Sequence, residues 1–503
     1  MHILVAIIFA SVLTWLLFNL KIIKNSTFSS TVFCGIFILK LFFGISFYLV
    51  YTAYYDDRQT SDMHKYYNDA VKIYALTQHH TQSYLSILTG IDIDDRDEAI
   101  TQQLNFWYQE ESASVINDSR MIIRFNLLML PLSRGNIYLH LVMMVFLSFV
   151  GLFLIYHSLE QFFMTKERLL LLACFGIPSV MFWSSGIMKE GLLLFFFGIL
   201  IHSLFTKTWA FYKRCICVIL SFTGMFFVKF YVALALVPSL LFIAIHYFNQ
   251  KKSNTQKLVI TCLLIFVASI SFNAALNNLP LEKLSKKQND FINLSLGGVY
   301  LRNTEAPFDT IFTLHSSSLT TPGSNLEKQT TQLKPGTTYH HWKNPGYADT
   351  LISKENSPTY TILKMLQPTG SAITLNRLMP SYSSVIKLLP EAFINVFFRP
   401  FIFDVENLFS LLACIENCAL LALLLLLIFT FKMPDEKAKL MISFSVLFVF
   451  TLYTLVGLTT PVLGAAVRYK VPALPFLLIS IFLFYDYGIL RQRFRSLFSK
   501  NNL

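Results

Sequence analysis

The sequence predicts an all-α polytopic membrane protein, with about eleven transmembrane helices and two large extracytoplasmic loops. Three observations carry this reading. Only 14% of the 503 residues are charged and 54% are hydrophobic, whereas a soluble chain is roughly 25% charged. Runs rich in Leu and Phe recur along the whole length, Phe alone at 49 positions, and each is near the roughly 20 residues that a helix needs to cross hydrocarbon. The basic residues of the short loops also sort to one side of these runs.

Apolar run length places spans near 3–20, 31–53, 137–157, 169–185, 190–206, 215–228, 231–248, 258–276, 406–430, 440–458 and 471–489, the run at 215–228 being short enough for a half-helix. One set of short loops, with the C-terminal tail, holds Lys21, Lys24, Lys166, Arg168, Lys207, Lys213, Arg214, Lys251, Lys252, Lys257, Lys432, Lys437, Lys439, Arg491, Arg493, Arg495 and Lys500. The short loops of the other set hold only Lys189, Lys229, Arg468 and Lys470. The first set is expected in the cytoplasm. The N-terminus then lies outside and the C-terminus inside, which an odd number of spans satisfies. A multi-pass protein of the plasma (inner) membrane is expected. The divisions are N-terminal transmembrane helices at 1–53, a first extracytoplasmic loop at 54–136, a central bundle at 137–276, a second extracytoplasmic loop at 277–405, and C-terminal helices with a basic tail at 406–503.

The net charge of +12 belongs to those cytoplasmic loops and does not imply a nucleic-acid partner. No Walker A sequence, dinucleotide glycine fingerprint or zinc-finger spacing occurs. The seven cysteines lie in or beside apolar runs, so disulfides are not expected. Cys215 and Cys217 lack the spacing of a redox pair, and the neighbours His79–His80 and His340–His341 cannot point together as ligands. No cofactor is expected, and nothing supports a divalent metal. The first run has no basic residue ahead of it and no small-residue cleavage site, so it is expected to be a retained helix.

The first long loop is acidic, with 12 acidic and 6 basic residues between 54 and 124. Asp56, Asp57 and Asp62 follow the second span closely, where a lipid-linked substrate would present its headgroup. A carboxylate there can act as a general base on a sugar hydroxyl. On a helix Asp62, Tyr66 and Asp69 share one face. Arg124 and Arg134 follow, suited to phosphate oxygens by their fork geometry. PSVMFWSSGIMKEG sets Lys189 and Glu190 at an outer hairpin tip, a phosphate ligand with an orienting carboxylate. Lys229 and Arg468 occupy two further tips. Arg399 ends the amphipathic stretch IKLLPEAFINVFFRPFIFD, whose composition suits an interfacial helix. Lys40 and Glu416 lie inside apolar spans and could pair with each other. At least three of Arg124, Lys189, Lys229, Arg399 and Arg468 are expected to line one cavity, with Asp62 at its rim. Carboxylates would offset part of their repulsion and a lipid phosphate the rest.

The acidic loop motif SDMHKYY, the outer P-x-x-x-F-W-S-S-G-I-M-K-E hairpin and the RYKVPALP segment entering the last span resemble the GT-C superfamily of membrane glycosyltransferases that use polyprenyl-phosphate sugars. They also resemble the related bacterial proteins that polymerise surface polysaccharides. The resemblance implies a polyprenyl-phosphate-linked sugar donor, a glycan, lipid or protein acceptor, and chemistry outside the cytoplasm. It assigns the catalytic base to Asp62. The placement of the charged residues adds Glu190 to the catalytic set and gives substrate binding to Tyr66, Arg124, Arg134, Lys189, Lys229, Arg399 and Arg468. In that family the acidic loop follows the first span; here it follows the second. A polymerase or ligase acting on lipid-diphosphate oligosaccharides is the near alternative. A lipid or solute transporter, with Lys40 and Glu416 as coupling charges, is the alternative from another class.

Overall fold

Apolar stretches closed by polar caps build the body of the protein. The computed structural model describes residues 1–54, 61–104, 106–107, 118–206, 209–303, 311–315, 318–320, 330–342, 348–352, 359–365, 368–486 and 488–489. Helix α1 (His2–Asn19), the short α2 (Lys21–Lys24) and α3 (Ser30–Leu49) open the chain. The first long segment between spans folds as α4 (Asp62–Thr77), α5 (Thr81–Thr89), α6 (Asp95–Gln102) and α7 (Ser119–Ser133). The central bundle contains α8 (Ile137–Leu159), α9 (Glu167–Phe175), α10 (Pro178–Trp183), α11 (Lys189–Phe205), α12 (Phe211–Val228), α13 (Phe230–Phe248) and α14 (Asn254–Ala275). The C-terminal helices are α17 (Leu408–Thr430), α18 (Glu436–Thr459), α19 (Leu463–Tyr469) and α20 (Leu474–Leu483). Among the described residues, nine helical stretches are long and apolar enough to cross a membrane. The chain is a helical, multi-pass membrane protein by this measure.

Several ends are fixed by side-chain caps, which satisfy amides that lack an intrahelical partner. Ser253 and Gln256 form a reciprocal box at α14. Asn407 caps α17 through Ser410, and Asp435 Oδ1 accepts from Ala438 N at 2.7 Å on α18. The bundle interior is close-packed at glycines. A Cβ on Gly151 of α8 would lie 2.1 Å from the Leu194 carbonyl oxygen, and one on Gly198 of α11 would lie 2.2 Å from the Gly151 oxygen. The backbones of α8 and α11 therefore approach directly, as small residues allow between membrane helices.

Three expected spans differ in form. The run at 169–185 is divided into α9 and α10, because Pro178 has no amide to continue the ladder begun in α9. Helix α11 is seventeen residues long, about 26 Å at the helical rise. The run at 215–228 is not a half-helix; it lies within the eighteen-residue α12. The last span is kinked, α19 and α20 being joined by a 3-10 turn at Val471–Ala473 with Pro472 and Pro475 at the two starts.

Polar contacts define two ends of the bundle. At one end Thr27 N donates to Glu160 (2.8 Å), Arg214 reaches the Ser203 carbonyl (2.9 Å), Asn254 reaches the Glu436 carbonyl (2.7 Å) and Lys166 reaches the Tyr485 carbonyl (2.5 Å). The described basic residues of the richer set of short loops lie in these connections. At the other end Asn136 donates to the His2 carbonyl (2.9 Å), and Thr52 meets His64 (3.1 Å).

The second long segment between spans contains β-structure, which the all-α expectation does not include. Helix α15 (Leu279–Ser295) precedes β1 (Gly298–Asn303), β2 (Ile311–His315), β3 (Thr330–Thr331), β4 (Thr338–Trp342), β5 (Ala348–Ile352) and β6 (Tyr360–Met365). One antiparallel sheet has the order β2-β1-β6-β3, with Tyr300 opposite Thr313; β4 and β5 form a separate pair. Val299, Leu301, Leu314, Leu319, Leu333, Tyr360 and Ile362 form its small core. The segment returns to the bundle where Ile373 N donates to the Pro461 carbonyl (2.7 Å) and Leu463 N to the Ser371 carbonyl (2.9 Å). The amphipathic stretch forms α16 (Tyr382–Phe397). It packs on α18 through Phe393–Phe450 and Phe397–Tyr453, and Gly457 lets the Ala392 backbone come close.

Candidate functional site

At the end of the bundle that carries the two long segments, charged side chains from five parts of the chain meet. Glu190, in the first turn of α11, is fully buried. It accepts from Lys229 Nζ at 2.6 Å and from Arg468 Nε at 2.5 Å, both on Oε1, and from Arg468 Nη2 at 3.2 Å on Oε2. Lys229 lies between α12 and α13, and Arg468 near the end of α19. Arg468 Nη1 continues to Asp62 Oδ2 at 3.2 Å. Asp62 is the first residue of α4, and its side chain is 42% exposed. Lys189 turns away from Glu190 and donates to Asp118 Oδ1 at 2.5 Å.

Aromatic rings pack around the cations. The Lys229 ammonium lies 5.0 Å from the Tyr469 ring centre and 5.7 Å from that of Tyr231. Lys189 lies 5.6 Å from Tyr66, and Arg468 is 5.7 Å from Trp183. Quadrupole attraction of this kind partly replaces lost hydration. Burial, with the charge of Asp62 next, pushes the Tyr66 hydroxyl up to about 12, so it remains a donor at neutral pH.

The charges balance pairwise: Lys189, Lys229 and Arg468 against Asp118, Glu190 and Asp62. Buried ion pairs without such matching are costly. The protein's own carboxylates therefore do the neutralising that was expected in part of a lipid phosphate. Two donors remain available among the described residues. The buried Tyr231 hydroxyl has no hydrogen-bond partner. Lys287 of α15 sits 4.1 Å from the Phe291 ring and makes no ion pair. Burial lowers its pKa, opposed by Asp290 and by Asp118 of the cluster.

Of the cations expected to converge, Lys189, Lys229 and Arg468 do so. Arg124 lies against Trp107 (5.4 Å) and donates to the Ile87 carbonyl (3.0 Å). Arg134 terminates α7 in a left-handed conformation. Arg399 sits 3.6 Å from Asp404 beside Phe401. These three are outside the cluster. Asp56 and Asp57 lie outside the described residues. Asp69 accepts from Phe106 N (2.8 Å) and so anchors the first long segment. Lys40 and Glu416 do not pair: Lys40 donates to Ser184 Oγ (2.5 Å), and Glu416 accepts from Ser179 N (2.8 Å) and Oγ (2.6 Å). Each of these intramembrane charges meets a serine hydroxyl rather than the other charge.

Asp118 and Lys287 were not singled out by the sequence. Asp118 was one acidic residue among many, and Lys287 is a lysine in a polar helix; only the fold brings them to the cluster. Among the described residues no three His, Cys, Asp or Glu side chains form a metal-binding group. Compared with family models, curated proteins and solved structures, the chain finds no match in any of the three.

Proposed function

We propose that the chain is a membrane glycosyltransferase. In this reading it moves a sugar from a polyprenyl-phosphate donor to an acceptor outside the cytoplasm, with Asp62 as the base. The observation that carries it is the placement of Asp62. It is the most exposed carboxylate of the cluster, at 42% against 25% for Asp118 and 0% for Glu190, and Arg468 holds it through one oxygen while Oδ1 has no partner among the described residues and is open to an acceptor hydroxyl. The acceptor oxygen would attack the anomeric carbon as the bond to the lipid phosphate breaks. Asp62 takes the hydroxyl proton, and the phosphate leaves with the bonding electrons. Lys287 is the cation available to that phosphate in this reading. Glu190, locked between two cations, positions them and exchanges no proton.

The test is mass spectrometry of lipid-linked saccharides in membranes with and without the protein. Loss of sugar-charged lipid with growth of an acceptor supports transfer. Lengthened diphosphate-linked oligosaccharides would instead indicate a polymerase. Unchanged species with altered sidedness would indicate a transporter and end the enzyme reading.

The orientation belongs to the same proposal. Counting the broken α9–α10 pair and α11 with the nine long stretches gives eleven passes, with the basic end in the cytoplasm of the plasma membrane. The N-terminus and the charged cluster then lie outside. An impermeant maleimide should label Lys283→Cys on intact cells, above the background of the native cysteines, and Lys251→Cys only after permeabilisation. The reverse pattern would invert the topology.

A further inference from the structure

At the basic end of the bundle three connections meet around a cavity. Residues 163–166 after α8, residues 432–435 between α17 and α18, and Tyr485, Asp486 and Gly488 after α20 enclose about 500 Å3. Lys166 closes its inner wall. Its ammonium donates to the carbonyls of Phe482 (3.2 Å) and Tyr485 (2.5 Å), satisfying oxygens that a helix end leaves unpaired. Lys432 stands 3.7 Å from Asp486, and Lys437 has no ion pair or hydrogen bond among the described residues. The two carboxylates are already engaged. Asp435 caps α18 through Oδ1, and Asp486 Oδ1 accepts from the amides of Gly488 and Ile489.

Three lysines therefore face one cavity against two carboxylates that accept backbone amides. The pKa of Lys166 is lowered by burial first and then by the like charge of Lys432, a repulsion that Asp486 and Asp435 partly offset and that a further anion would reduce. At the rim Lys432 and Lys437 are exposed beside Met164 and Met433, which are exposed at 77% and 74%, next to the ends of four apolar helices. A cavity at the level where spans end, with a half-buried lysine in its wall and both exposed lysines and exposed methionines at its rim, matches an amphiphile with an anionic head.

We propose that this cavity binds the phosphate of a membrane phospholipid headgroup, with Lys432 and Lys437 meeting the phosphate oxygens and Met164 and Met433 bordering the glycerol and first acyl carbons. The site lies at the end of the bundle opposite the charged cluster and does not depend on the reaction assigned there. A soluble phosphate offers the same oxygens but nothing for the two methionines.

The experiment uses the full chain in detergent, titrated with phosphatidylglycerol and followed by native mass spectrometry. Lys432→Gln with Lys437→Gln should weaken lipid binding roughly tenfold or more. Lys251→Gln, exposed at the same end and outside the cavity, should leave it unchanged. Inorganic phosphate alone should not shift the thermal midpoint. The proposal fails if the double variant binds as wild type, or if Lys251→Gln weakens binding equally. It also fails if inorganic phosphate stabilises the protein while the lipid does not.

Discussion

Glu190→Gln is expected to lower stability by about 3–5 kcal/mol, the cost of leaving buried charge without its partner. The substitution preserves size and removes the only charge that holds Lys229 and Arg468 together in the interior. Both cations have their head groups against the same carboxylate, at 2.6 and 2.5 Å. The measurement is the thermal unfolding midpoint of the purified protein in micelles. A companion Glu190→Gln/Lys229→Met variant removes one stranded cation and should recover part of the loss, because residues in one network do not act additively. A midpoint unchanged in Glu190→Gln would show that the network contributes nothing to the fold.

Asp62→Asn is expected to do the opposite: little change in the midpoint and a fall in transfer of about 10²–10⁴-fold, the range for loss of a general base. The side chain is partly exposed and its contact with Arg468 is 3.2 Å, which an amide oxygen can still accept. What the amide cannot do is take the acceptor proton. Transfer near the wild-type level in a well-folded Asp62→Asn protein would remove Asp62 as the base. If Arg468→Lys lost transfer in that same comparison, the arginine-dependent polymerase reading would gain instead.

The membrane architecture could be read from the sequence because hydrocarbon imposes a length and a composition on every span. Where that constraint was loosest the reading slipped. Apolar content alone did not reveal that Pro178 divides one run. The strands at 298–303, 311–315 and 360–365 are short, and the pairing of the first with the last is non-local. The cations at the hairpin tips were legible because a charge beside an apolar run is conspicuous. Their partners were not, since Asp118 meets Lys189 across 71 positions and Arg468 meets Asp62 across 406. Sequence position places a charge near one leaflet; only packing decides which opposite charge it meets. Arg124, Arg134 and Arg399 show the converse, sharing the expected composition but having other neighbours.

The long sequence separations within the cluster also set an order of assembly. Glu190 and Lys229 are 39 positions apart and can neutralise each other once α11, α12 and the start of α13 have been made. Arg468 follows Glu190 by 278 positions. Until the ribosome has delivered that last segment, the partly assembled bundle holds a neutral pair, with no cation yet in place for Asp62. The first long segment is by then already tied to the bundle by Lys189 on Asp118 and by Thr52 on His64. The arrival of α19 adds the one contact these cannot make, the link from Asp62 through Arg468 to Glu190, so a nascent chain stopped before α19 would keep its neutral pair and lack that link.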